Sequence, residues 1–259
     1  MLSPVSRRFT LLHWSLALLL GFGGGSPARA QPSAAGYEVL TEALPATRAP
    51  AVVANFEGAT IQEAPDNWVY VTSRREIWTP EQAREPGEQF FVAAEDGNQF
   101  IRFVTENEAQ RYSQRNGHEL DWSLSDHSRL RWRWRAHHLP EGASEKGEND
   151  TGAALYVTFG TDWLGRPKSI KYTYSSSLPV GTVVDFGVLY VIVVDSAHAS
   201  HLGEWKTVER NVRDDYRHLF GGTPPDRPLS ITIWSDSDTT GGTARADFDD
   251  ILLLPSRGL

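Results

Sequence analysis

Leu130-Arg131-Trp132-Arg133-Trp134-Arg135-Ala136 alternates apolar and basic residues with a period of two. Successive side chains of a β-strand point to opposite faces, so this stretch reads as a strand with Leu130, Trp132, Trp134 and Ala136 on one face. Two indoles on a buried face cover on the order of 150–250 Å² each and anchor a core. The other face carries Arg129, Arg131, Arg133 and Arg135, four like charges that repel unless paired. Acids for such pairing stand at Glu209 and in the last apolar stretch, where alternation puts Asp247 and Asp249 on one face and Asp250 on the other. The row reads either as a cross-strand ladder of salt bridges or as a solvent-facing groove. In the groove, the guanidinium forks of Arg131, Arg133 and Arg135 bind carboxylate, sulfate or phosphate on a ligand.

The same period, or compact β-branched and aromatic runs, recurs outward from this strand between Gly, Pro, Asn and Asp residues. Strands are expected over 52–56, 68–71, 89–94, 99–104, 129–136, 153–159, 169–174, 188–194, 205–210, 229–234 and 244–254. Only 213–219, stopped by Gly221-Gly222, and 80–84 read as helical, both short. This pattern predicts an all-β antiparallel sandwich, a jelly roll with one or two short helices. The 188–194 run is apolar on both faces and is expected as a central strand covered on both sides.

The 259 residues are 40% hydrophobic and 22% charged, enough apolar surface for a packed core. With no cysteine, thiol catalysis, disulfides and cysteine-ligated zinc are excluded. A formal net charge of −8 argues against nucleic acid as a partner. Ser6-Arg7-Arg8, an apolar stretch from Trp14 to Phe22, and Ala28-Arg29-Ala30 form a cleavable export signal over residues 1–30. Its removal takes away three arginines and no acid, so the net charge becomes −11. Phe9 sits one place early for a twin-arginine signal, which favours the general secretory route. No later run approaches the roughly 20 apolar residues of a membrane span, so no transmembrane segment is expected after cleavage. Residues 31–50, rich in Ala and Pro, read as a flexible spacer, and 51–259 as one sandwich domain. The expected location is the bacterial periplasm or the outside.

Tyr172 and Tyr174 share one face of their strand, and Trp163 lies in the turn Gly160–Pro167. Aromatics stack on sugar rings, which makes these three ligand candidates, although buried tyrosines give the same pattern. Asp236-Ser237-Asp238-Thr239-Thr240-Gly241 spaces oxygen ligands as part of a calcium loop does, without the later bidentate Glu of an EF-hand. Glu57 near the start and Asp249 near the end meet around a hard cation if the terminal strands pair. The metal candidates are thus Glu57, Asp236, Asp238 and Asp249, for a structural calcium. His198 and His201, His-x-x-His on a loop, lack the further ligands zinc needs. The sequence holds no Gly-x-Ser-x-Gly elbow, P-loop or dinucleotide fingerprint.

From Leu130 onward the chain resembles the bacterial Domain of Unknown Function 3047 family. The resemblance rests on Leu130-Arg131-Trp132-Arg133-Trp134, Leu139-Pro140-Glu141-Gly142, Ala154-Leu155-Tyr156-Val157-Thr158-Phe159 and Ser169-Ile170-Lys171-Tyr172. Pro179-Val180-Gly181-Thr182, Gly203-Glu204-Trp205, Asp215-Tyr216-Arg217 and the Asp236–Gly241 run continue it in order. Ser144 and Asn149 stand where Asp is usual in the family, and Trp234-Ser235 before Asp236 is a further departure. The resemblance implies exported proteins without an assigned activity. Phe56-Glu57 and Ala246-Asp247-Phe248-Asp249-Asp250-Ile251 also resemble galactose-binding-like jelly rolls and carbohydrate-binding modules, in which a calcium often sits near equivalent acids. The expected function is a non-catalytic carbohydrate-binding module for an acidic glycan or cell-envelope polysaccharide. The alternatives are a polysaccharide lyase or other glycan-active enzyme on the same fold, or a structural envelope protein.

Overall fold

Alternation carries directly into structure. The computed structural model describes residues 48–147 and 150–256, all within the second of two units, Met1–Leu44 and Pro45–Leu259. The expected signal peptide (1–30), most of the spacer (31–50) and Asn149 lie outside the described residues. In chain order the elements are β1 Ala51–Ala54, β2 Tyr70–Val71, β3 Ile77–Trp78, α1 Pro80–Ala83, β4 Glu88–Glu95, β5 Asn98–Glu106, β6 Ala109–Arg115 and β7 Arg129–His138. There follow β8 Thr151–Thr161, β9 Pro167–Ser175, β10 Val183–Asp185, β11 Leu189–Ser196, β12 Lys206–Asn211, α2 Val212–Phe220, β13 Ser230–Asp236 and β14 Thr243–Leu254.

Two six-stranded sheets form the sandwich. The first has the order β12-β7-β14-β5-β4, with β1 also paired to β14; the second has the order β10-β11-β9-β8-β13-β6. Every pair is antiparallel except β9–β11, which is parallel. The core lies between the sheets, where Trp132 and Trp134 of β7 meet Tyr172 and Tyr174 of β9 at ring-centroid distances of 5.5 and 5.8 Å. These four side chains are among the largest fully buried ones.

Three strands escape the sequence pattern. In β6 only Tyr112 of the inward side chains is apolar; its neighbours Gln110 and Gln114 are also buried. Gln110 is tolerated there because its amide donates to the Ala83 carbonyl at 2.9 Å and to Glu88 at 3.0 Å. The strands β3 and β10, of two and three residues, are too short to show a period. The expected central strand is β11, one strand in from the sheet edge, and Val191, Ile192 and Val193 are buried on both its faces.

Candidate functional site

The arginine row stands on the outer face of the first sheet, opposite the core indoles. Arg135 donates to the fully buried Asp247 at 2.7 Å and also pairs with Glu95. Arg102 of β5 forks onto the same Asp247 at 2.8 and 2.9 Å, and His137 adds a contact at 2.7 Å. Burial alone raises the Asp247 pKa, but the bonds from His137, Arg102 and Arg135 outweigh it and hold the carboxyl at about 2. Arg133 bonds Asp250 at 3.1 Å and lies 3.7 Å from Asp249. Alternation places Asp250 on the opposite face; a bulge in β14, with Asp250 at φ 47°, turns it back toward the arginines. Trp205 then covers the row, with the guanidinium carbons of Arg133 and Arg135 at 4.9 and 4.7 Å from its ring. Arg135 thus has two acid partners, as in a ladder, whereas Arg133 bonds through one nitrogen and keeps about a third of its side chain exposed. Arg131 shares their face, opposite Glu209 of β12.

The aromatic candidates separate. Tyr172 and Tyr174, at 0% and 1% exposure, are core residues with no face free for a ring to stack on. The Tyr172 hydroxyl donates to Asp215 of α2 at 2.9 Å and so ties the helix to the sheet. Trp163 is 89% exposed on the β8–β9 hairpin, a position open to a ligand.

A groove of about 930 Å³ lies instead on the outer face of the second sheet. Period-two alternation builds it. Ile231 and Ile233 of β13 point into the core, so Thr232, Trp234 and Asp236 face out. In register beside them stand Arg111 and Ser113 of β6 and Tyr156 of β8, with Lys171 of β9 next in line. The indole of Trp234 and the ring of Tyr156 are 5.2 Å apart at 31° and form an aromatic floor. Hydroxyl pairs flank it: Ser113 with Thr232 at 2.7 Å, and Thr158 with Ser169 at 2.9 Å. The Trp234 indole N–H and Asp236 Oδ1 are buried without a hydrogen-bond partner among the described residues. None of these residues is a sequence candidate except Asp236. The signal for Trp234 and Thr232 was the alternation of β13; the wall formed by β6 carries none, because that strand reads as polar.

Among the described residues, Asp150, Asp236 and Asp238 are the three acids whose carboxylate oxygens gather within 4.8 Å of one another. Burial, then repulsion from Asp238 and Asp150, pushes the Asp236 carboxyl up to about 7. Asp150 accepts from the backbone of Thr239 and Thr240 at 3.1 and 2.7 Å, which fixes its carboxylate. Three oxygens of this kind, one of them orphaned, suit a hard cation such as calcium. Glu57 and Asp249 are not part of the trio: Glu57 accepts from the Gln99 N–H at 3.1 Å, and Asp249 accepts from Asn98 at 3.0 Å.

Residues 76–252 match the family described as "Protein of unknown function (DUF3047)". The chain belongs to this family. No curated protein matches it. Among solved structures it is similar to the family 11 carbohydrate-binding module of a cellulosomal cellulase of Clostridium thermocellum. That match has 11% identity, covers 82% of this chain and 97% of that one, and has a TM-score of 0.39. A carbohydrate-binding module specific for non-crystalline cellulose matches at 13% identity over 80% and 94% of the two chains, with a TM-score of 0.43. An exolytic alginate lyase of Zobellia galactanivorans matches at 10% identity over 75% and 96%, with a TM-score of 0.39. These likenesses are distant.

Proposed function

We propose that this protein is a non-catalytic carbohydrate-binding domain that acts in the periplasm or outside the cell and holds a polysaccharide along the groove of the second sheet. The observation that carries the reading is the Trp234–Tyr156 floor, an apolar platform bordered by hydroxyl pairs. Sugar rings offer C–H faces to stack on aromatics and hydroxyls to exchange hydrogen bonds. Trp163, exposed on the hairpin whose base residues Thr161 and Pro167 line the groove, extends the platform at its rim. A calcium at Asp150, Asp236 and Asp238, beside one end of the groove, belongs to the same proposal. Affinity electrophoresis through polysaccharide gels tests it. Wild-type protein is retarded by at least one polymer, and Trp234→Ala loses at least ten-fold in affinity while keeping a cooperative melt. Retardation that Trp234→Ala leaves unchanged refutes the groove.

A second reading, a glycan-active enzyme, is favoured by two perturbed groups on this face. Burial pushes Lys171 down to about 8, and Asp236 stands near 7, values suited to proton transfer at neutral pH. New reducing ends, or ultraviolet absorbance from an unsaturated product, during incubation with polysaccharide would establish that reading over simple binding.

A further inference from the structure

The protein is acidic, with a formal net charge of −8, yet the groove is not. Its ionisable lining side chains other than tyrosine are Arg111, Arg115, Arg166 and His118 against a single acid, Asp236. Two of these arginines are already engaged, Arg115 with Glu119 and Arg166 with Asp162. Arg111 differs. Its guanidinium makes no ion pair or hydrogen bond among the described residues; it is held only by rings, 5.2 Å from Tyr70 and 4.9 Å from Trp234. Stacking fixes the plane of the group and leaves its N–H donors unclaimed, a geometry suited to a planar two-oxygen acceptor.

At the other end of the aromatic floor stands Lys171. Its side chain is 1% exposed, and its ammonium lies 5.7 Å from the Tyr156 ring with no ion pair or hydrogen bond among the described residues. From β6 to β9 the sequence of side chains is therefore cation, indole, phenol, cation. The carboxylates of Glu145, Asp236 and Asp150 act on this ammonium and offset part of the cost of its burial. The single acid of the lining, Asp236, clusters with Asp150 and Asp238.

We infer that the groove selects a polysaccharide bearing anionic groups, carboxylate or sulfate, with Arg111 as the specificity-determining residue. This inference rests on the reading of the groove as a glycan site. It transfers to the second sheet the anion recognition expected of Arg131, Arg133 and Arg135.

The test compares the full chain on four polymers in affinity gels: polygalacturonate, the same polymer after carboxyl reduction, a sulfated galactan and a neutral galactan. Each gel is run with calcium and with chelator. Arg111→Gln removes the charge and keeps the length of the side chain, and its melting temperature is measured alongside. The expected result is retardation by polygalacturonate or sulfated galactan at least ten-fold stronger than by their neutral counterparts. Arg111→Gln loses that preference, keeps the weaker neutral binding and melts as wild type does; Arg111→Lys restores part of it. Preference for the uronate assigns carboxylate as the group recognised, and preference for the sulfated polymer assigns sulfate. Equal or stronger binding to the neutral polymers, indifferent to Arg111→Gln, overturns this inference and leaves the glycan reading intact. No retardation on any polymer overturns both.

Discussion

Asp247 shows what a single buried charge does when its partners are all in place. It has no exposed surface, and Arg102, Arg135 and His137 converge on its two oxygens. Removing Asp247 leaves the buried Arg135 with Glu95 alone and takes from Arg102 and His137 the acid they share. Asp247→Ala is therefore expected to lower stability by about 3–5 kcal/mol, read as a shift in the urea midpoint. Because the folded carboxyl titrates at about 2, below its ordinary value of 3.8, its contribution is complete above that ordinary value. It is lost as the pH falls through about 2, so the gap between wild type and variant closes over that interval and stays open at neutral pH. The same residue explains why Arg135 is tied into the sheet: its guanidinium is held by the buried Asp247 and by Glu95 and lies against the Trp205 ring. Four arginines and several acids were visible in the sequence. Which arginine met which acid was not, because that depends on strand order and on the bulge at Asp250.

At the scale of elements, strands with a clear apolar face were legible and those with a mixed one were not. The strand β7 announced both of its faces. The strand β9 announced its alternation but not which set faced inward, since Lys171 and Thr173 are as buried as Tyr172 and Tyr174. The glutamines of β6 concealed a strand on which the groove depends. The helix α2 was legible because its signals are local. The Asn211 side chain accepts from the Asp214 N–H at 3.3 Å at its start, and Gly221, at φ 72°, closes its end with a bond to the Arg217 carbonyl at 3.1 Å. Asn211→Ala is expected to cost about 1 kcal/mol, measured by thermal or urea unfolding. Gly87, at φ +88°, is a stricter case. A Cβ there would stand 2.8 Å from the backbone oxygen of Glu106, so Gly87→Ala should destabilise the β4–β5 pair by more than the cap variant does.

For the whole molecule, the acid trio and the strand ends set the response to conditions. A cation bound only by the folded state stabilises it by about 2.7 kcal/mol at a hundred times its dissociation constant. Calcium is thus expected to raise the melting temperature and a chelator to lower it, and Asp150→Asn should abolish the difference; a melt indifferent to both refutes the site. Without a cation, Asp236, raised to about 7, favours folding most at low pH, and that contribution fades as the pH climbs through about 7. The two ends of the sandwich domain meet, for β1 lies against β14 with Ala51 opposite Leu253. The pairing is antiparallel, so a pull on the two ends opens this contact like a zip, one hydrogen bond after another, instead of shearing all of them together. A tether anchored at one end and loaded at the other would yield first at four residues of β1, leaving the groove on the far sheet folded.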